Sequence, residues 1–154
     1  VLSTLHTNSA ASAVTRMRAM GLEDYLLSAV LRGVLAQRLV RRLCTSCRVQ
    51  EAEETSKPLR TRFNLHPQEG QGFWRATGCR DCNGTGYHGR LAIAEFLQPT
   101  PAVQRMILSG ASDMEIEEAA IQDGMNSLLM TGLQEALSGE TTVEEVLRVV
   151  RMEG

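Results

Sequence analysis

Aromatic side chains are scarce in this sequence: Trp74, two tyrosines and three phenylalanines make up 4 % of its 154 residues. A core built from it must be aliphatic and methionine-rich, and stacked aromatic platforms for single-stranded nucleic acid are not expected. Lysine is scarcer still. Lys57 is the only one, and no glycine-rich G-x-x-x-x-G-K-[ST] loop occurs, so this polypeptide alone cannot cradle a triphosphate. No H-E-x-x-H pattern exists, and His6, His66 and His88 are too far apart to share a ligand spacing. The longest apolar stretch, Leu26 to Val40, is broken by Arg32, Gln37 and Arg38 and falls short of the roughly 20 residues that span a bilayer. There is no basic n-region followed by an apolar segment and a cleavage site. The chain begins without methionine, in a strand-like Val1-Leu2-Ser3-Thr4-Leu5, and the expectation is a fragment of a longer protein.

Four cysteines are present, in two pairs, Cys44-x-x-Cys47 and Cys79-x-x-Cys82. An x-x spacer lets two thiolates bite one ion and a second pair closes a tetrahedral shell, so structural zinc is the first reading. Gly84 and Gly86, just past the second pair, let backbone amides turn toward the sulfurs. Two disulfides or a thioredoxin-like redox pair are the alternatives, and disulfides require an oxidising compartment. A catalytic zinc fits less well, because four thiolates leave no open position. The 31 residues between the pairs, rich in charge from Glu51 to Lys57, are too polar for a core of their own. Metal binding would then supply folding energy, on the order of 10 kcal/mol, with Phe73 and Trp74 covering the site.

The net charge of −2 conceals an asymmetry. Residues 1–99 carry 13 basic and 8 acidic side chains, whereas residues 100–154 carry 3 and 10. The basic excess gathers in Arg16, Arg18, Arg32, Arg38, Arg41, Arg42 and Arg48, which suit either an anionic partner or a solvated strand edge. Along the chain, Val1 to Leu5 reads as a short buried strand and His6-Thr7-Asn8-Ser9 as a polar loop that caps the next helix. Helices are expected over residues 10–20, with Ala13, Met17 and Met20 on one face, and over residues 23–33. A strand follows from Val34 to Leu43. A second runs from Gly89 to Leu97, with Leu91, Ile93, Glu95 and Leu97 on one face and Ala92, Ala94 and Phe96 on the other. These two strands bracket the cysteines and are expected to pair antiparallel. After Gln98-Pro99-Thr100-Pro101, four short helices are expected over residues 102–109, 113–122, 127–137 and 143–150, the second opened by the capping box Ser112-x-x-Glu115.

His6 lies just beyond the first expected strand, where α/β proteins place ligand-contacting side chains, or else it only orders a loop. Ser3-Thr4-Leu5-His6-Thr7-Asn8, Leu35-Ala36-Gln37-Arg38-Leu39-Val40-Arg41-Arg42-Leu43-Cys44, the four cysteines, Gly86-Tyr87-His88-Gly89-Arg90 with Glu95, and Gly139-Glu140-Thr141-Thr142-Val143-Glu144-Glu145-Val146 together carry a likeness. In order and spacing the chain resembles the bacterial secretion ATPases that drive type II secretion and type IV pilus assembly, over essentially its whole length. The extended tetracysteine loop is similar to that of the secretion and pilus-extension branch rather than the retraction branch.

The resemblance implies an α/β fold: the C-terminal part of a RecA-like P-loop ATPase domain, with a tetracysteine zinc subdomain and an α-helical C-terminal subdomain. It divides the chain into 1–43 (the end of the ATPase core), 44–88 (zinc subdomain), 89–99 (returning strand) and 100–154 (helical subdomain). It also implies a Walker A loop, Asp box and Walker B glutamate upstream, so that ATP and Mg2+ belong to the full-length enzyme. Cys44, Cys47, Cys79 and Cys82 would hold structural Zn2+, His6 would sense the γ-phosphate, and Arg38 and Arg90 would contact neighbouring protomers or subdomains. The implied assembly is a cytoplasmic hexamer at the inner membrane, working on a membrane platform protein without nucleic acid. Two other classes share features with the chain. A zinc-ribbon nucleic-acid module would use the cysteines and arginines, and a DnaJ-like chaperone repeats the unit seen once here as Cys79-x-x-Cys82-x-Gly84-x-Gly86.

Overall fold

Helices of about ten residues do not persist alone, and those of this chain survive by capping and by packing on neighbours. The computed structural model of the chain describes residues 1–151, with elements in the order α1 Ala10–Ala19, α2 Asp24–Val30, β1 Val34–Leu43, β2 Val49–Gln50, α3 Glu53–Arg62, β3 Trp74–Arg75, β4 Tyr87–Leu97, α4 Pro101–Leu108, α5 Asp113–Gln122, α6 Leu128–Leu137 and α7 Val143–Arg151. The described residues form two units, one of residues 1–37 and 94–128, the other of residues 38–93 and 129–151. No helix among the described residues is long and apolar enough to cross a membrane.

In the first unit, α1 begins at a capping box in which the Ser9 hydroxyl accepts from the Ser12 amide while the Ser9 amide donates to the Ser12 hydroxyl. Its inner face is Ala10, Ala11, Ala13 and Val14; Met20, expected on that face, is exposed because the turn at Gly21 carries it off the helix. Helix α2 packs on α4, α4 on α5, and α5 on α1, around Leu27, Val103, Ile107, Ile116 and Ala119. Arg18 pins this arrangement, pairing with Asp24 and donating to the carbonyls of Ala111 and Ile107. The expected buried strand at Val1–Leu5 does not form. A strand exists only against another strand, none of the described residues pairs with this segment, and its side chains are exposed.

Strands β1 and β4 pair in a two-stranded sheet. The Cys44 amide donates to the Gly86 carbonyl at one end, and Gly33 lies against Phe96 and Leu97 at the other, so the strands run antiparallel as expected. The expected faces of β4 are found, with Ile93, Glu95 and Leu97 buried and Ala92 and Phe96 exposed. On β1, Ala36 and Val40 turn inward and Leu39 outward, and the alternation then slips, leaving Arg41 and Arg42 both exposed before buried Leu43. A one-residue slip turns every later side chain over, so Leu39 and Leu43, which alternation puts on one face, are exposed and buried respectively.

The second unit holds the cysteine excursion. It carries more order than its polarity suggests. Strands β2 and β3 pair antiparallel, Val49 opposite Arg75 and Gln50 opposite Trp74, and α3 lies between them. Phe73 and Leu65 leave the excursion to join Leu133, Ala136 and Leu137 of α6 in one apolar cluster. The expected cover over the sulfurs is therefore a different arrangement: Phe73 packs into that cluster and Trp74 lies under the Arg48 guanidinium, 4.6 Å from the ring centroid.

Candidate metal centre

Cys44 follows β1 directly, and the second pair precedes β4, so the paired strands bring the two x-x knuckles to one place. All four Sγ atoms lie within 4.8 Å of one another, and all four cysteines are free. Sulfur separations are 3.8 Å for Cys44 to Cys79, 3.9 Å for Cys47 to Cys82 and 3.8 Å for Cys79 to Cys82. A disulfide needs about 2 Å. Four thiolates about 2.3 Å from a tetrahedral ion stand about 3.8 Å apart, which is the spacing of these three pairs.

Backbone amides surround the sulfurs as the second shell of such a site does. Gly78 N donates to Cys47 Sγ at 3.4 Å, and Cys79 N and Gly86 N donate to Cys82 Sγ at 3.2 and 3.1 Å. Gly86 reaches that position at φ +80°, where a Cβ would stand 2.6 Å from that of Ala76, so only glycine fits. Without a cation the thiols compete. Burial opposes ionisation of Cys82, yet the amides of Cys79 and Gly86 bring it down to about 6. The Cys82 amide favours a Cys79 thiolate, but burial and the sulfurs of Cys82 and Cys44 push that thiol up to about 11. A dication removes the conflict by drawing all four to thiolate. The donor set therefore fits a soft, four-coordinate metal.

The flanks of the first pair are bound to the turn between α6 and α7. Leu43 N donates to the Glu140 carbonyl at 2.8 Å, Arg42 pairs with Glu140 at 3.1 Å, and the Arg48 guanidinium donates to the Gly139 carbonyl. Gly139 sits at φ +79°, and a Cβ there would stand 2.7 Å from Arg48 Nη1 and 2.9 Å from Trp74 Nε1. Beyond the turn, Glu145 is 1 % exposed and takes the Arg41 amide at 3.0 Å, Arg41 Nη2 at 2.9 Å and Arg148 Nη2 at 2.7 Å. Burial would raise its pKa, but the bonds from Arg148 and Arg41 overcome that and bring it down to about 2. Arg41 also stacks on Tyr87, 4.2 Å from the ring centroid, and the Tyr87 hydroxyl meets Thr142 Oγ1 at 2.8 Å.

The other residues singled out from sequence lie apart from the sulfurs. His6 is exposed, four positions ahead of α1. Arg38 is half-buried on β1, while Arg90 is exposed on β4 and has no ion-pair partner among the described residues. Sequence reasoning named Glu145 only within the Gly139–Val146 stretch and Arg48 only within the basic cluster, and missed their contacts, which lie with residues distant in sequence.

An α/β chain with short capped helices and a four-sulfur centre on a two-stranded ribbon defines a class, and comparison identifies it. The profile of the family described as "Type II/IV secretion system protein" matches residues 1–148, and the chain belongs to that family. It is 46 % identical over 151 residues to the type II secretion system protein HxcR of Pseudomonas aeruginosa, covering 98 % of this chain and 28 % of that protein. It is 48 % identical over 149 residues to the type IV pilus assembly ATPase PilB of Thermus thermophilus, covering 96 % of this chain and 16 % of that protein. To the type II secretion system ATPase E of Vibrio cholerae it is 45 % identical over 151 residues, with coverage of 98 % and 29 %. The chain thus spans less than a third of the length of these relatives. Family membership sets aside the nucleic-acid and chaperone readings.

Proposed function

We propose that this chain is the C-terminal portion of a cytoplasmic, hexameric ATPase that couples ATP hydrolysis to type II protein secretion or type IV pilus assembly. The observation that carries the reading is likeness over nearly the whole chain to relatives named as ATPases of both machines. In it, residues 1–43 are the C-terminal part of a RecA-like core, residues 44–88 a zinc-binding subdomain, residues 89–99 a returning strand and residues 100–154 a helical subdomain. ATP and Mg2+ are bound by segments of the full-length protein that supply the phosphate loop, since this stretch has none.

Each site residue has a role in this reading. Cys44, Cys47, Cys79 and Cys82 hold one structural Zn2+, supported by the tetrahedral sulfur spacing. The ion supplies folding energy to the excursion and takes no part in hydrolysis. His6, exposed on a polar loop, meets the γ-phosphate, and an imidazole there can hydrogen-bond a phosphate oxygen and respond to its loss. Arg38 and Arg90 contact adjoining protomers or subdomains, where a guanidinium matches carboxylate or phosphate geometry. Protomers in different nucleotide states differ in domain orientation and pass that difference to an inner-membrane platform protein.

The test is made on the full-length protein purified under reducing conditions. It should contain one zinc per chain and hydrolyse ATP. A preparation that folds without zinc removes the metal assignment, and one that binds zinc yet does not hydrolyse ATP in any oligomeric state removes the motor.

A further inference from the structure

Glu95 is an acid on a buried strand face. It is 3 % exposed, and its neighbours on that side of β4 are Ile93 and Leu97. A carboxylate in such surroundings persists only when its oxygens are occupied. Both are, and by main chain: Oε1 accepts from the Ala10 amide at 2.6 Å and Oε2 from the Leu128 amide at 2.9 Å. Ala10 is the first residue of α1 and Leu128 the first of α6, so one side chain takes a first-turn donor from two helices and meets the positive end of each dipole.

Helix α1 does not need Glu95 in order to start, because Ser9 and Ser12 already cap it reciprocally. What the extra bond adds is location. It ties the N-terminus of α1 to a paired strand near its C-terminal end, four residues downstream of His6. Within that short connection the Thr7 hydroxyl donates to the Ser9 carbonyl at 3.1 Å, folding the loop back onto the tethered end. A carboxylate bonded at 2.6 Å tolerates little displacement of its donor, so the loop carrying His6 is held from below at a fixed point.

We propose that Glu95 is a positioning residue for His6: through the Ala10 amide it sets where the His6 loop leaves the fold, and so where the imidazole meets nucleotide. This rests on the role given to His6 above. The double N-cap, rather than any contact between the two side chains, is the device.

The test uses the full-length protein, its ATP hydrolysis, and a double-variant comparison of Glu95→Gln with His6→Ala. Glutamine keeps the size of the side chain but replaces one acceptor oxygen by a donor, so one of the two amides loses its partner. The expected result is a kcat lowered roughly tenfold to a hundredfold in Glu95→Gln, the range for a misplaced reacting group, with KM for ATP moved less than about twofold. In the His6→Ala background the same substitution should lower kcat by no more than about twofold further, because Glu95 acts through His6. Losses that multiply, or a Glu95→Gln enzyme with parental kcat, overturn the proposal and leave the reading of His6 standing. A His6→Ala enzyme with parental kcat overturns that reading and the proposal with it. Should Glu95→Gln fail to fold, Glu95→Asp, which keeps both acceptors on a shorter arm, takes its place in the cycle, and the same outcomes support or overturn the proposal.

Discussion

Two helices of this chain open with the same pattern, a hydroxyl residue followed three positions later by glutamate, and they put that glutamate to different use. At α5, Ser112 and Glu115 exchange bonds locally: the Glu115 amide donates to the Ser112 hydroxyl at 3.3 Å, and the Glu115 carboxylate takes the Ser112 amide at 2.8 Å. The carboxylate is exposed, and the Ser112 amide and hydroxyl hold it below its ordinary pKa. At α7, Thr142 Oγ1 still accepts from the Glu145 amide at 3.1 Å, but the Glu145 carboxylate goes to Arg41 and Arg148 instead. Both signatures announce a helix start. Only packing decides whether the acid caps its own helix or anchors that helix to a strand, and at α7 the anchor is β1, immediately before the first cysteine pair.

The comparison can be broken most forcefully through the metal. Chelating the proposed zinc from the full-length protein should unfold the segment from Cys44 to Gly86, at a cost on the order of 10 kcal/mol. Amide exchange would then rise at Glu145, whose anchor Arg41 lies three residues ahead of that segment, and stay low at Glu115. Equal behaviour of the two amides would sink the idea that α7 depends on the metal site. Next in size is Glu145→Ala, expected to cost about 3 kcal/mol in denaturant titration, the low end for a broken buried pair because both arginines are half exposed. Its control, Glu115→Ala, should barely move the midpoint.

Acid sharpens the same contrast. The folded pKa of Glu145, about 2, lies below its ordinary value of 4.5, so its stabilisation is fully present above pH 4.5 and is lost as pH falls toward 2. The shift corresponds to about 3 kcal/mol. In Glu145→Gln that part of the acid dependence should vanish, and a parental acid profile in this variant would contradict the assignment. The smallest expected loss is at the turn feeding α7, where Gly139→Ala forces a non-glycine residue into φ +79° against Arg48 and Trp74 and should cost about 1–3 kcal/mol. A neutral result there would mean the turn yields more freely than its contacts suggest.

Local chemistry was legible in the sequence. The capping residues, the glycine stops and the apolar period placed α5 at its observed ends and the other C-terminal helices within a residue or two. The cysteine spacing brought the right four side chains together. What the sequence concealed were relations that need a partner. Val1–Leu5 alternates like a strand but has nothing to pair with among the described residues. Strand β1 breaks its alternation at Arg41 and Arg42, where two exposed cations in a row give no hint of which neighbour faces in. Glu95 belonged to a recognised motif, yet its use as a cap for two helices depends on amides 85 and 33 residues away.

Having one tryptophan, this stretch of chain carries its own optical gauge. The indole of Trp74 is overlaid by the guanidinium that follows the second cysteine of the first pair, and its ring nitrogen faces the turn that launches the last helix. Light emitted by that single ring therefore reports, with no added dye, whether the sulfur centre and the C-terminal helix are still held together.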